Sequence, residues 1–207
     1  VLAGSDRVEG MISDPLVRAV TLTGSVPAGR AVASLAGKAL KKTVMELGGS
    51  DPYIILEDAD LERAASVCAA SRLINSGQSC IAAKRFVVVE PVMNQFLEFL
   101  VGEMISRKIG NPLDEGVDIG PMARADLRDE LHARVESSLA MGAECVLGGR
   151  VPEGEGAYYP ATVLTGVREG MPAYSDELFG PVASIITAAD QREAIRIAND
   201  TSFGLGA

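Results

Sequence analysis

An α/β fold, with a largely parallel sheet flanked by helices, is the architecture this sequence predicts. Short β-branched runs alternate with amphipathic stretches along the whole chain, and Gly- and Pro-containing turns separate them. No internal repeat or low-complexity tract breaks the alternation. With 207 residues, 47% of them hydrophobic and 23% charged, the chain can bury a sizeable core and is not a disordered tail.

The elements follow in order. Val1 stands near an apparent strand, and residues 17–23 (VRAVTLT) form the first strand read from the sequence, just after Pro15. Thr23-Gly24-Ser25 leads into a helix that opens near Pro27, since proline is favoured at the first helical position. Residues 43–46 and 53–57 read as strands. Asp58-Ala59-Asp60 can cap a helix running to about Ile74, on which Leu61, Ala64, Ala65, Cys68 and Leu73 recur at helical spacing. A strand at 84–89 and a helix at 92–107 follow, the helix carrying Phe96, Leu97 and Leu100 on one side. A helix at 124–141 ends at Gly142, and a strand at 144–147 turns at Gly148-Gly149. The Gly-rich stretch 151–157 is a surface loop, 159–164 and 182–187 are strands, and 191–199 is the last helix. A domain boundary falls at Gly48-Gly49, where a strand ends and a new α/β unit begins.

Composition narrows the function. A net charge of -9 and a pI near 4.7 argue against nucleic-acid binding, which needs a basic footprint. No apolar run reaches the roughly 18 residues of a membrane span, and no basic-then-apolar signal segment opens the chain. Cys68, Cys80 and Cys145 are too few for a disulfide framework and include no Cys-x-x-Cys, which points to a reducing, cytoplasmic setting. A single histidine, His132, leaves no plausible zinc site and no metal is expected. His132 lies among Arg128, Asp129, Glu130, Arg134 and Glu136, a solvated helix face with no catalytic role. A catalytic base in this chain is therefore expected to be a carboxylate or a lysine. The start at Val1 and the stop at Phe203-Gly204-Leu205-Gly206-Ala207 read as the ends of a trimmed piece.

Four stretches carry candidate chemistry. Thr23-Gly24-Ser25-Val26-Pro27-Ala28-Gly29-Arg30 joins a strand to a helix, whose N-terminus attracts phosphate. Its glycine spacing matches half of a P-loop, but Arg30-Ala31 stands where Lys and Ser/Thr belong, which argues against nucleoside triphosphate hydrolysis. Phosphate binding and an ordinary strand–helix turn both remain open there. Glu46-Leu47-Gly48-Gly49 sets a carboxylate at a strand end, a general base or an exposed acid, before glycines that permit close backbone approach. Asn75-Ser76-Gly77-Gln78-Ser79-Cys80 places a thiol after a Gly-containing turn. Cys80 is the best nucleophile candidate, while Cys68 and Cys145, on an apolar stripe and in an apolar strand, are expected in the core. Glu177-Leu178-Phe179-Gly180-Pro181 offers a carboxylate for sugar hydroxyls and a ring for a flat cofactor, or a plain turn before a strand.

Taken together and in this order, these stretches resemble the signatures of the aldehyde dehydrogenase superfamily over essentially the whole chain. Residues 46–60 (ELGGSDPYIILEDAD) and 120–132 (GPMARADLRDELH) are most similar to bacterial succinate-semialdehyde dehydrogenases. The resemblance implies an aldehyde dehydrogenase-like catalytic domain over 49–207 and, over 1–48, the C-terminal tail of a Rossmann-like dinucleotide-binding domain. It implies NAD- or NADP-dependent oxidation of an aldehyde, with succinate semialdehyde first in line, in a homo-oligomeric parent. Cys80 would attack the aldehyde carbon, hydride would pass to the nicotinamide, and Glu46 would activate the water that hydrolyses the thioester. Gly24 and Ser25 would contact the pyrophosphate, Leu47 the carboxamide end through its backbone, Glu177 the nicotinamide ribose and Phe179 the ring. Ser79 and Ile81, flanking the thiol, would line the substrate pocket.

Two departures qualify this. The family's side-chain oxyanion donor, an Asn, lies upstream of Val1, so the isolated chain could carry both reactive groups and turn over nothing. Succinate-semialdehyde enzymes also place an Arg six residues before the nucleophile to hold the substrate carboxylate. Here that position is Ile74, with Arg72 the nearest cation in sequence. The competing readings are a catalytically silent binding module and a coenzyme A-acylating enzyme, which would have no need of Glu46 as a water-activating base.

Overall fold

The computed structural model describes residues 4–206. Val1 and Ala207, on which the reading of a trimmed piece rests, lie outside the described residues. The chain forms two compact units, one up to Gly48 and the other from Gly49.

The first unit holds a short helix α1 (Val8–Ser13), strand β1 (Ala19–Thr23), helix α2 (Val26–Lys38) and strand β2 (Lys42–Glu46). Helix α1 is not anticipated by the sequence pattern; it has only six residues and buries only Ile12. The first strand is therefore preceded by a helix, and it starts at Ala19. The strands are parallel and run in register from Ala19 opposite Lys42 to Thr23 opposite Glu46. Helix α2 makes the crossover between them, as a parallel pair requires. Ser25 caps α2, its hydroxyl accepting from the Ala28 N–H at 3.4 Å, and proline occupies the first turn.

The second unit is a five-stranded sheet built from β3 (Pro52–Ile55), β4 (Arg85–Val89), β5 (Glu144–Leu147), β6 (Thr162–Thr165) and β7 (Val182–Ala188). Its spatial order is β3-β4-β7-β6-β5. All neighbours are parallel except β5 with β6, which are antiparallel and broken by an irregularity between Cys145 and Leu147. β6 starts at Thr162, later than the sequence pattern places it, after Pro160, which has no N–H to give a ladder.

Helices cover both faces of this sheet. On one face Phe86, Val88, Ala183, Ile185 and Val163 pack with Ala65, Cys68 and Ala69 of α3 (Leu61–Leu73). Phe96, Leu100 and Met104 of α4 (Met93–Ile105) complete that layer. On the other face Val87, Val89, Val182 and Ile186 meet Leu131 and Val135 of α5 (Ala125–Ala140). The short α6 (Pro172–Ser175) and Ala194 and Ile197 of α7 (Gln191–Asn199) close that side. Alternate residues of β4 thus enter opposite cores, and all five of its positions are buried. That double burial is why the strand reads as a continuous apolar run. Asp60 caps α3 through the Arg63 N–H at 3.1 Å, and Asp190 caps α7 through the Glu193 N–H at 2.8 Å.

Cys68 is 3% exposed, as its place on the apolar stripe of α3 predicts. Cys145, expected in the core, is exposed. Its strand β5 is the edge of the sheet and pairs only with β6, so an apolar composition there does not mean burial. His132, expected on a solvated face, is half-buried, with Nδ1 3.1 Å from the Tyr159 hydroxyl. α5 packs against the sheet, and His132 lies one residue after the buried Leu131.

All three cysteines are free. Burial pushes the Cys68 thiol up to about 12, so it stays protonated and unreactive near neutral pH. Iodoacetamide at pH 8, followed by peptide mapping, is expected to label Cys80 and Cys145 in the folded chain. Cys68 should react only after addition of denaturant. Native labelling of Cys68 as fast as Cys145 would contradict this packing.

Candidate functional site: the Cys80 turn and its buried cations

In the first unit, the sequence-selected residues gather at the C-terminal ends of the two parallel strands. Gly24 follows β1 and donates its N–H to the Glu46 carbonyl at 3.0 Å, so the Gly24–Ser25 turn and the end of β2 are tied together. Glu46 is exposed. A Cβ on Gly29 would meet the Leu47 side chain at 2.6 Å, so the first turn of α2 packs directly on Leu47. Open α/β sheets present ligands at this end of their strands. In the first turn of α2 the Ala28 N–H is taken by the Ser25 hydroxyl, the Gly29 N–H bonds the Ser25 carbonyl and Pro27 has none, so the Val26 N–H and the helix dipole are what this end offers an anion.

In the second unit the nucleophile candidate sits on a strained turn. After Leu73 the chain takes three consecutive left-handed residues, Asn75 (φ 50°), Ser76 (φ 55°) and Gly77 (φ 75°). Asparagine tolerates this conformation and glycine is at ease in it, but for Ser76 it is a local cost that surrounding bonds must offset. Those bonds are present. Arg72 Nη2 donates to the Gly77 carbonyl at 2.6 Å, and Ser76 Oγ donates to the Gly120 carbonyl at 3.0 Å. Asn75 Nδ2 donates to the Gln78 carbonyl at 3.0 Å. Gln78 Oε1 accepts from the Ala123 N–H at 2.8 Å, so the glutamine ties the turn to the segment ahead of α5. Gly77 admits no substitute, because a Cβ there would lie 2.1 Å from the Gly180 carbonyl oxygen.

Past this turn Ser79 and Cys80 are half-buried, and Ile81 is 63% exposed. The Ala82 N–H donates to the Ser79 carbonyl at 3.2 Å and closes a tight turn around Cys80. Beneath it lies Lys84, with a side chain only 2% exposed. Its Nζ donates to the carbonyls of Ser79, Cys80 and Ala82, each at 3.1 Å, and lies 3.6 Å from Glu177 Oε1. The same Glu177 oxygen accepts from the Gly49 N–H at 3.1 Å. Gly49 has to be glycine here, since a Cβ would stand 2.7 Å from the Cys80 carbonyl oxygen. The Cys80 turn and Glu177, singled out far apart in sequence, are thereby brought together. Phe179 stays 38% exposed.

Electrostatics follow from the burial. Burial, reinforced by the nearby Arg72 charge, pulls the Lys84 ammonium down to about 8, against the pull of Glu177 and Asp51. Burial likewise lowers the fully buried Arg72 to about 9, against Glu177. Arg72 Nε and Nη1 have no partner among the described residues. A guanidinium with no exposed surface, committed to Gly77, is not placed to reach a substrate carboxylate. Ile74, where that Arg was sought, is 52% exposed. Arg85, beside Lys84, is also buried but serves the frame. It donates to the carbonyls of Ser50, Ile197 and Ala198, and so anchors the end of α7.

Lys84 was not among the sites expected from sequence, and Arg72 entered only as the nearest cation for a substrate carboxylate. The signal was a Lys-Arg pair opening a fully apolar strand, together with an Arg on an otherwise apolar helix face, since charges at core positions are rare without a purpose. Among the described residues no three His, Cys, Asp or Glu side chains cluster so as to hold a metal. Nor is any described helix long and apolar enough to cross a membrane.

The chain belongs to the aldehyde dehydrogenase family, whose pattern it matches over residues 1–207. It is 52% identical over 205 residues to the succinate semialdehyde dehydrogenase [NAD(P)+] of Escherichia coli, covering 99% of this chain and 44% of that protein. It is 48% identical over 206 residues to the NADP-dependent succinate-semialdehyde dehydrogenase of Mycobacterium avium, covering 100% of this chain and 44% of that one. The succinic semialdehyde dehydrogenase of Streptococcus pyogenes, solved with NADP+, superposes with a TM-score of 0.95 at 38% identity, over 100% of this chain and 46% of its own. The chain thus spans less than half the length of these relatives.

The turn geometry can be tested by pairing two glycines of equal φ. Gly77→Ala is expected to lower unfolding free energy by at least about 2 kcal/mol, since overpacking adds to the backbone penalty. Gly116→Ala, at the same φ of 75° but in open space, should cost only about 1 kcal/mol. Urea unfolding midpoints of the two variants check the difference.

Proposed function

We propose that the whole protein to which this chain belongs oxidises an aldehyde to the carboxylic acid, using NAD or NADP, with Cys80 as nucleophile and Glu46 as general base. The observation that carries the reading is the Cys80 turn, a half-buried thiol on a left-handed turn pinned by two buried cations. Strain held in place by so many bonds is what motivates a functional reading of the Cys80 turn.

The residues fit the cofactor. The Gly24–Ser25 turn and the first turn of α2 would hold the pyrophosphate, and the Leu47 backbone the carboxamide end. Glu177 would take the ribose hydroxyls and Phe179 would lie beside the ring. Both protein contacts recorded for Glu177 fall on Oε1, which favours Oε2 for that role. When bound, the nicotinamide takes up the hydride.

Cys80 Sγ attacks the carbonyl carbon and forms a C–S bond, giving a thiohemiacetal. The oxyanion is stabilised by the Cys80 N–H. Loss of hydride leaves a thioester, and Glu46 takes a proton from the water that hydrolyses it, releasing the acid and the thiol. Splitting the oxidation into these two steps lowers each barrier. Ser79 and Ile81 would line the aldehyde pocket. The identities of 52% and 48% to succinate-semialdehyde dehydrogenases support succinate semialdehyde as the substrate. With Ile74 at the usual Arg position and Arg72 committed inside the fold, another cation has to hold the distal carboxylate. Three free cysteines support a cytoplasmic, reducing setting, and the resemblance supports a homo-oligomer.

Rapid mixing of the full-length enzyme with aldehyde and cofactor tests the assignment. Cys80→Ala should abolish the burst of reduced cofactor. Glu46→Gln should keep the burst while slowing steady-state turnover by about 10²–10⁴-fold. A lost burst in Glu46→Gln with unchanged thioester hydrolysis would count against the base. For the substrate, kcat/KM for succinate semialdehyde should exceed that for butanal by about 10²-fold or more, because an uncharged chain leaves the site's cation desolvated and unpaired. A ratio near one overturns the substrate and leaves the Cys80 chemistry standing.

A further inference from the structure

We propose that Lys84 is a positioning residue for the oxyanion-binding N–H of Cys80, and that its positive charge sets the rate of the acylation step. The proposal deepens the reading above and rests on Cys80 being the nucleophile.

The geometry points to this role through the peptide between Ser79 and Cys80. A trans peptide is planar, so its C=O and N–H point in opposite directions. Lys84 Nζ, 3.1 Å from the Ser79 oxygen, holds one end of that plane inside the fold. The Cys80 N–H at the other end is then directed away from the lysine. A cation on the carbonyl also draws electron density from the amide, which makes that N–H a stronger donor. The second bond, to the Cys80 carbonyl, fixes the next peptide, so the residue bearing the thiol is gripped on both sides.

An ammonium has three protons, and Lys84 has three carbonyl acceptors. Glu177, at 3.6 Å, is held by charge rather than as a fourth acceptor. This links the nucleophile turn to the carboxylate assigned to the ribose, with no other side chain between them. The Gly49 N–H on the same oxygen keeps that carboxylate in place.

The charge on Lys84 is poised to change. Arg72 on α3 disfavours its proton, while Glu177, between α6 and β7, and Asp51, just before β3, favour it. Burial dominates, and the ammonium loses its proton from about pH 8 upward. As pH rises through that value the polarising charge is lost, and the lysine's contribution to the acylation rate is lost with it.

The experiment is the pre-steady-state burst of the full-length enzyme from pH 6.5 to 9.5, with thermal unfolding of each variant alongside. Lys84→Met should slow the burst on the order of tenfold, less than the about 10²–10³-fold expected for losing an oxyanion donor outright. Substrate affinity should change little, while the melting temperature should fall, because the carbonyls of Ser79, Cys80 and Ala82 lose their donor and Glu177 its cation. Lys84→Arg keeps a charge that is ordinarily lost at far higher pH than a lysine's, so it should restore much of the burst and move the loss of the lysine's contribution to higher pH. A wild-type burst profile from pH 8 to 9.5 that runs parallel to that of a folded Lys84→Arg overturns the proposal, since the general increase of thiolate with pH is common to both. A Lys84→Met burst equal to wild type also overturns it. So does a folded Lys84→Arg that is no faster than Lys84→Met. A burst that survives Cys80→Ala removes the nucleophile assignment itself and this role with it. A burst lost in Cys80→Ala but unchanged in Lys84→Met overturns the lysine's role alone.

Discussion

The second unit is organised around two cations that have no surface. Arg72 and Lys84 approach the same turn from different elements, one at the end of α3 and the other at the threshold of β4. Desolvating a lysine or arginine is costly, and the cost is tolerable only where acceptors are dense. The backbone carbonyls of residues 77, 79, 80 and 82 provide that density, with Glu177 adding the opposite charge. The dependence runs both ways. The carbonyls are drawn inward by the cations, and the left-handed path through residues 75–77 is what turns them inward. Remove either side and the other becomes a buried, unpaired group.

Glycines then determine how closely neighbouring segments can approach this arrangement. Gly77 lies against the Gly180 carbonyl and Gly49 against the Cys80 carbonyl, each too near for a Cβ. Both positions stand out in the sequence as parts of short motifs, and there a glycine suggests room for a ligand. Their structural role is the contact of one backbone with another. The turn, the first residues of the unit and the segment ahead of β7 are therefore packed backbone against backbone, and Glu177 lies on the last of them.

Strands β4, β6 and β7 were legible because their apolar runs are buried, and helix starts were legible from Pro27 and Asp60. The same reasoning misplaced Cys145. Composition shows that a strand is apolar but not that it is the last in the sheet, and edge position depends on pairings made far away in sequence. His132 was misjudged for a related reason, since a charged neighbourhood along a helix does not show which side meets a tyrosine from another segment. Cys80 and Glu177 were each legible as candidates from local motifs. Their physical link through Lys84 was not, because it depends on a side chain folding back under its own preceding turn. The left-handed conformation of Ser76 had no sequence signal either, serine being an ordinary residue in most turns.

The strand order also governs when the Cys80 turn can form during synthesis. β4 leaves the Cys80 turn directly, yet its partner on one side is β7, with Arg85 opposite Ser184. Pairing across so long a stretch of chain is slow and entropically unfavourable until the intervening elements have collapsed. On a growing chain the Asn75–Cys80 segment emerges long before Glu177, Gly180 and β7 exist to enclose it. Lys84 has no carboxylate to face during that interval, and the turn has no wall to press against. The thiol is therefore among the earliest parts of the second unit to be made and among the last to acquire its final surroundings. A cell that synthesises this protein carries, for the length of that delay, a cysteine on an unfinished loop.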